Sequence, residues 1–324
     1  TVSAPLVVDI RIESSGSIKV EGNNSSGLTV EAPLTGDLFS QGQVSVVGND
    51  TYGIHTTGDI TGDVTILGSV SAIGENATGV AIDGAVDGAV KIQGAVNTTG
   101  YRYTTPPPSK PTTGEPREGA TYLENLDDDD LLQGGPAVRI AGDVTGGVVF
   151  DGPPPPLPDD ATEEEKKDTD RDKDGIPDAQ ETTAAIRSFG GAPAVLVGSA
   201  GKAINLGPVG TGDDAYGLIN RGTIEAAGVY KEVDATAVQI GGTGQSVTLA
   251  GGLRNQGTIT SSANTGDSTG VLIGADATAP SIVNSGAIQS VSASSEANVA
   301  AGVLINQGAN VASFVNSGSV TAGV

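Results

Sequence analysis

The chain has 324 residues, 37% of them hydrophobic but only 3% aromatic, with no Trp and no Cys. A long core must therefore be filled by small and β-branched side chains, and disulfide frameworks and thiolate sites are excluded. The formal net charge of -23 opposes binding to nucleic-acid phosphates or anionic lipid and favours cations as partners. No apolar run approaches the ~20 residues of a membrane-spanning helix. The start at Thr1, with neither Met nor a signal-like apolar core, reads as a processed chain or an excised fragment. Forty-nine glycines among many Thr, Ser, Asn and Val predict short strands joined by tight turns.

Within residues 1–100 one 26-residue unit repeats. Gly53, Gly58, Gly62 and Gly68 recur as Gly79, Gly84, Gly88 and Gly94, and Ile54, Ile60, Val64, Ile66 and Val70 recur as Val80, Val86, Val90, Ile92 and Val96. The same frame aligns Gly16, Gly42, Gly68 and Gly94, then Ile12, Leu38, Val64 and Val90, then Val8, Leu34, Ile60 and Val86. Each unit holds three short alternating apolar runs, so the expected fold is all-β: a right-handed parallel β-helix with three strands per coil, about nine coils in all. At the ~4.8 Å strand spacing these make a rod roughly 40–45 Å long.

Residues 101–135 break the frame with Pro106, Pro107, Pro108, Pro111 and Pro116 and the acidic run Asp127, Asp128, Asp129, Asp130. Four adjacent carboxylates without a glycine bend suggest a solvated tip. The frame returns over 136–152, where Val138, Ile140 and Gly142 match Val80, Ile82 and Gly84 at an offset of 58, or 26 plus a 32-residue insertion. A second Pro-rich acidic insertion is expected over 153–192, with a short helix from Thr182 to Phe189. The shared words Gly134, Gly135, Pro136, Ala137 and Gly190, Gly191, Ala192, Pro193 suggest that both insertions return at one corner and lie side by side.

Coils with a looser period are expected over 193–324. Asn220, Asn255, Asn284 and Asn316 each open an Asn-x-Gly turn, at spacings of 35, 29 and 32 residues. Stacked coils would bring their amides into a hydrogen-bonded column. The terminal Thr321 to Val324 lacks a polar cap, so the chain is expected to continue there or to stack on another copy.

The sharpest chemical signal lies in the second insertion. Asp170, Asp172, Asp174, Asp178 and Glu181 occupy positions 1, 3, 5, 9 and 12 of a loop with Gly175 at 6 and the Ile176 carbonyl at 7. Alternating carboxylates, a glycine bend and a terminal bidentate Glu are what an oxygen-ligated Ca2+ requires. With a single histidine, His55, expected at an outward or corner position, no nucleophile–base pair can be built, and no enzyme is expected. Asp59, Asp63, Asp83 and Asp87 sit beside glycines and are expected to be turn residues rather than a catalytic cluster.

Residues 170–178 resemble a thrombospondin type 3 calcium repeat, which implies a structural ion ordering an acidic linker. The repeats around Gly217, Asn220 and Gly222, and around Ile282, Asn284 and Gly286, resemble the β-helical passenger region of autotransporter-type surface proteins of Gram-negative, particularly alphaproteobacterial, cells. That resemblance covers the solenoid and not the insertions. It implies export and display on the bacterial cell surface, outer membrane-associated or secreted, as a structural or adhesive rod. The membrane barrel of that family is not in this sequence. The alternatives are a self-assembling filament or surface-layer subunit, and a polysaccharide-binding or polysaccharide-cleaving β-helix. The partners to consider are calcium, further copies of the chain through coil ends or insertions, and cell-surface glycans.

Overall fold

A computed structural model describes every residue except 116, 173–175, 213–214 and 294–297. Apolar residues alternate along short strands, so each strand has one face to bury. Successive strands bury it by winding round a common axis, and the result is a parallel β-helix. Among the described residues every pairing within the four sheets is parallel and joins one coil to the next. Among the described residues, sheet 1 (starting at Ile10–Ile12) and sheet 2 (starting at Ser17–Glu21) have nine strands each, sheet 3 (starting at Ser26–Val30) has eight, and a short sheet of three, Ile204–Leu206, Val247–Leu249 and Ala277–Thr278, forms an extra side in the later coils. The buried residues form one apolar column after another, such as Val44, Val70, Val96, Ile186, Ile224, Ile259 and Ile288 inside sheet 2.

The 26-residue frame holds from the second coil to the fourth, where Leu38, Val64 and Val90 pair in sheet 1. The first coil differs. Leu38 pairs with Ile10 and Leu34 bridges to Leu6, so Ile12 and Val8 are not their partners and Val8 is exposed. Two extra residues are absorbed in a turn where the Gly16 N–H donates to the Glu13 carbonyl at 2.7 Å, after which Ser17 and Gln43 are back in step. A shift of two preserves the inward–outward alternation, which is why the frame tolerates it.

The 58-residue offset is a true register, since Val138 pairs with Val80 and Ile140 with Ile82. The insertion preceding them is closed at its neck by an antiparallel bridge between Tyr101 and Leu131. Tyr101 is buried, its hydroxyl donates to Gln133 Oε1 at 3.1 Å, and its ring meets Tyr230 edge-on at 4.8 Å. Burial pushes the Tyr101 hydroxyl above its ordinary pKa. The acidic run folds into a 3₁₀ turn, Asp128–Asp130, in which the Asp127 N–H donates to Asp130. Asp130 is buried and pairs with Arg102 at 3.4 Å.

The second insertion corrects two expectations. No helix follows the acidic loop: Ala185–Phe189 is a strand of sheet 2, paired with Ala95–Thr99 on one side and with residues 223–227 on the other. Ile186 and Ser188 point inward while Arg187 points out, a period of two that a helix cannot bury. The excursion therefore closes at Ala184, whose N–H donates to the Asp151 carbonyl at 2.7 Å, one strand before the glycine-rich words at 190–193. Those words do mark equivalent positions, because Val138 pairs with Val195. Only the first insertion returns there; the second leaves and returns between sheets 1 and 2. The two insertions flank the opposite ends of the sheet 2 strands instead of sharing a corner.

Inside sheet 1 one column runs Ile66, Ile92, Phe150 and then Asn220, Asn255, Asn284, Asn316. The expected amide column is present: each Nδ2 donates to the next Oδ1 at 2.8, 2.7 and 2.7 Å. The first rung is anchored by the Gly222 N–H, which donates to Asn220 Oδ1 at 3.2 Å. Among the described residues no helix is long and apolar enough to cross a membrane.

Candidate functional sites

The acidic loop brings Asp170, Asp172 and Asp178 together, with one carboxylate oxygen from each lying within 4.8 Å of the others. Three carboxylate oxygens gathered this closely can close on one hard cation with a small inward movement of the side chains, since Ca2+ takes oxygen ligands at about 2.3–2.6 Å. Asp174 lies outside the described residues. Ile176 is buried. Glu181 is also buried and stands outside the triad, with its Oε1 accepting from Gln93 Nε2 at 2.5 Å. Asp178 is also the acceptor for Arg171, through the backbone N–H at 3.0 Å and through the guanidinium. Those hydrogen bonds hold the Asp178 carboxyl below its ordinary pKa, so it is an anion at neutral pH.

Arg171 also donates to the carbonyls of Pro155 and Pro154 at 2.6 and 3.1 Å, so the loop is tied back to the proline run. The far side of the loop covers the outer face of sheet 1. There Ile176, Pro177 and Gln180 close a cleft of about 400 Å3 over Arg11, Phe39 and Lys91.

The turn aspartates have structural work. Asp37 Oδ1 accepts the N–H of Asp63 at 2.8 Å, Asp63 Oδ1 that of Ala89 at 2.7 Å, and Asp59 Oδ1 that of Ala85 at 2.9 Å. Each ties a corner to the corner one coil further on. Asp83 is different. Its carboxylate accepts from His55 Nε2 at 2.8 Å and from Arg139 Nε and Nη2 at 3.2 and 2.7 Å. Burial acts to raise its pKa, but the His55 hydrogen bond and the charge and hydrogen bonds of Arg139 outweigh that and hold it below the ordinary value. Burial likewise opposes, and the Asp83 charge overrides, so that Arg139 is held above its ordinary pKa.

This cluster joins three coils of sheet 3, because His55, Ala81 and Arg139 occupy one outward column. Tyr52 stacks on His55 at 4.1 Å with 19° between the rings, and the Arg139 guanidinium lies 5.5 Å from the Tyr52 ring centre. From two coils further on, Lys202 in the loop 198–203 reaches back to donate to the Asp83 carbonyl at 2.7 Å. His55 does occupy the expected outward position, yet its engagement with Asp83 and Arg139 was not expected from the chain. The available signal was the column itself, which places Arg139 outward two coils beyond His55.

Fold and clusters together define a parallel β-solenoid carrying an acidic loop and a charged outer-face cluster. Comparison with known protein families, with curated proteins and with solved structures finds no match.

Proposed function

We propose that this chain is a non-catalytic structural or adhesive rod of a bacterial cell surface, stabilised by calcium in its second insertion. The convergence of Asp170, Asp172 and Asp178 carries the calcium half of this reading, since three carboxylates gathered on one loop offer the oxygen ligands that a hard cation takes. Surface display is supported by the resemblance of the Asn-x-Gly coils to autotransporter passengers and by a cysteine-free chain of charge -23. The continuous nine-strand sheets suit a stalk, because each coil leans on both neighbours.

Calcium added to the full chain is expected to raise its melting temperature and slow proteolysis within 153–192, with both effects reversed by excess chelator. Unchanged melting and unchanged cleavage in chelator would remove calcium from the proposal. Antibody labelling of intact cells tests the location: the chain is expected to be accessible without permeabilisation, and strict dependence on permeabilisation would overturn surface display.

A further inference from the structure

Two hollows on the outer face of sheet 3 meet at the His55–Asp83 contact. The first, of about 440 Å3, is lined by Tyr52 and His55 together with Asn24, Thr29, Glu31 and Asp50. The second, of about 770 Å3, is lined by Asp83, Arg139, Leu196 and the loop that carries Lys202. Strand order places them in succession along the rod axis.

Their chemistry is opposite. In the second hollow Asp83, the one acidic residue among the described residues that line it, already accepts three hydrogen bonds from His55 and Arg139. What remains there is donor capacity: Lys202 uses one of its three N–H groups on the Asp83 carbonyl, and Arg139 uses two of its five on the Asp83 carboxylate. A metal cation is disfavoured beside two cationic side chains, whereas a carboxylate suits them. The first hollow has carboxylate and amide acceptors at Glu31, Asp50 and Asn24, suited to hydroxyl groups, beside the stacked Tyr52 and His55 rings. Rings suit the C–H face of a pyranose, and acceptors repel a second anion.

We propose that this trough binds an acidic heteroglycan, with an anionic sugar over Arg139 and Lys202 and a neutral sugar beside Tyr52 and His55. The site deepens the adhesive part of the reading above and is independent of the acidic loop. A homopolymer of acidic sugars fits worse, because its next carboxylate would meet Glu31 and Asp50.

Calorimetric titration of the full chain in chelator, with a hyaluronan oligosaccharide of alternating glucuronate and N-acetylglucosamine, tests this. A chitin oligosaccharide serves as the neutral comparison and an oligogalacturonide as the all-acidic one. Hyaluronan is expected to bind most tightly and to weaken with added salt. Lys202→Ala, in an exposed loop, is expected to weaken hyaluronan about 10-fold, with the far-UV spectrum and melting temperature unchanged. Tyr52→Ala is expected to weaken hyaluronan and chitin alike. No binding of hyaluronan, equal binding of chitin, tighter binding of oligogalacturonide, or indifference to Lys202→Ala would each overturn the proposal. Retained binding with negative surface labelling would overturn only the location.

Discussion

Asn220 Nδ2 donates to Asn255 Oδ1 at 2.8 Å, and neither residue has any solvent exposure. Asn255 passes the pattern on to Asn284 Oδ1 at 2.7 Å, so its amide is donor to one neighbour and acceptor from the other. Asn255→Ala leaves two buried partners short of a hydrogen bond and opens a void, and is expected to cost about 3 kcal/mol in urea denaturation. Asn255→Asp is the more informative change. A carboxylate there still accepts from Asn220 but opposes Asn284 Oδ1 oxygen to oxygen unless it carries a proton. Its stability relative to the parent should improve as pH falls, the reverse of ordinary acid unfolding.

Asp83 gives a pH dependence of the usual sign. Its folded pKa lies below the unfolded value of about 3.9, so its contribution is complete above that value and is lost as pH falls through the lowered folded one. The stability difference between parent and Asp83→Asn should shrink as pH falls below about 4. Asp83→Ala, which leaves Arg139 and His55 without their acceptor, is expected to cost about 1–3 kcal/mol.

The column Gly16, Gly42, Gly68, Gly94 turns at the corner into sheet 2, where coils approach too closely for side chains. A Cβ on Gly94 would stand 1.8 Å from the Gly68 carbonyl oxygen, and one on Gly68 1.9 Å from that of Gly42. Gly94→Ala is expected to cost about 3 kcal/mol or more, because the obstacle is backbone. Gly201→Ala, whose nearest obstacle is 3.8 Å away, should stay within about 0.5 kcal/mol.

The Tyr230 hydroxyl donates to the Tyr103 carbonyl at 2.9 Å and holds the first insertion against a later coil. Tyr230→Phe removes that bond while keeping the ring contact with Tyr101. Opening of the insertion should become easier by about 1 kcal/mol, read as roughly fivefold faster proteolysis within 101–135 with global melting unchanged.

Much of the architecture was legible because stacking converts sequence spacing directly into register. Val80 and Val138 share a column across an insertion, and four asparagines at unequal spacings still converge, since loops absorb the difference before each strand begins. The misreadings arose where a turn changed length without disturbing alternation, as between Ile12 and Gly16, or where a five-residue strand, Ala185–Phe189, was too short for its period to stand out from neighbouring loop. Half of the acidic loop's geometry follows from local spacing. The His55, Asp83, Arg139 and Lys202 cluster does not, for it needs side chains from four coils to face outward on the same side.

The two insertions carry a consequence for how the rod assembles. Neighbouring strands of sheet 2 are joined by 26 residues in the early coils but by 90 between Val96 and Ile186. Because loop closure grows only with the logarithm of length, that longer detour adds about 1 kcal/mol to the entropy of closing a coil. Coil corners are thus inexpensive ports. A lineage could exchange whole surface modules at them while the winding beneath stays in step, and an engineer could graft a foreign peptide at Gly152 with the same expectation.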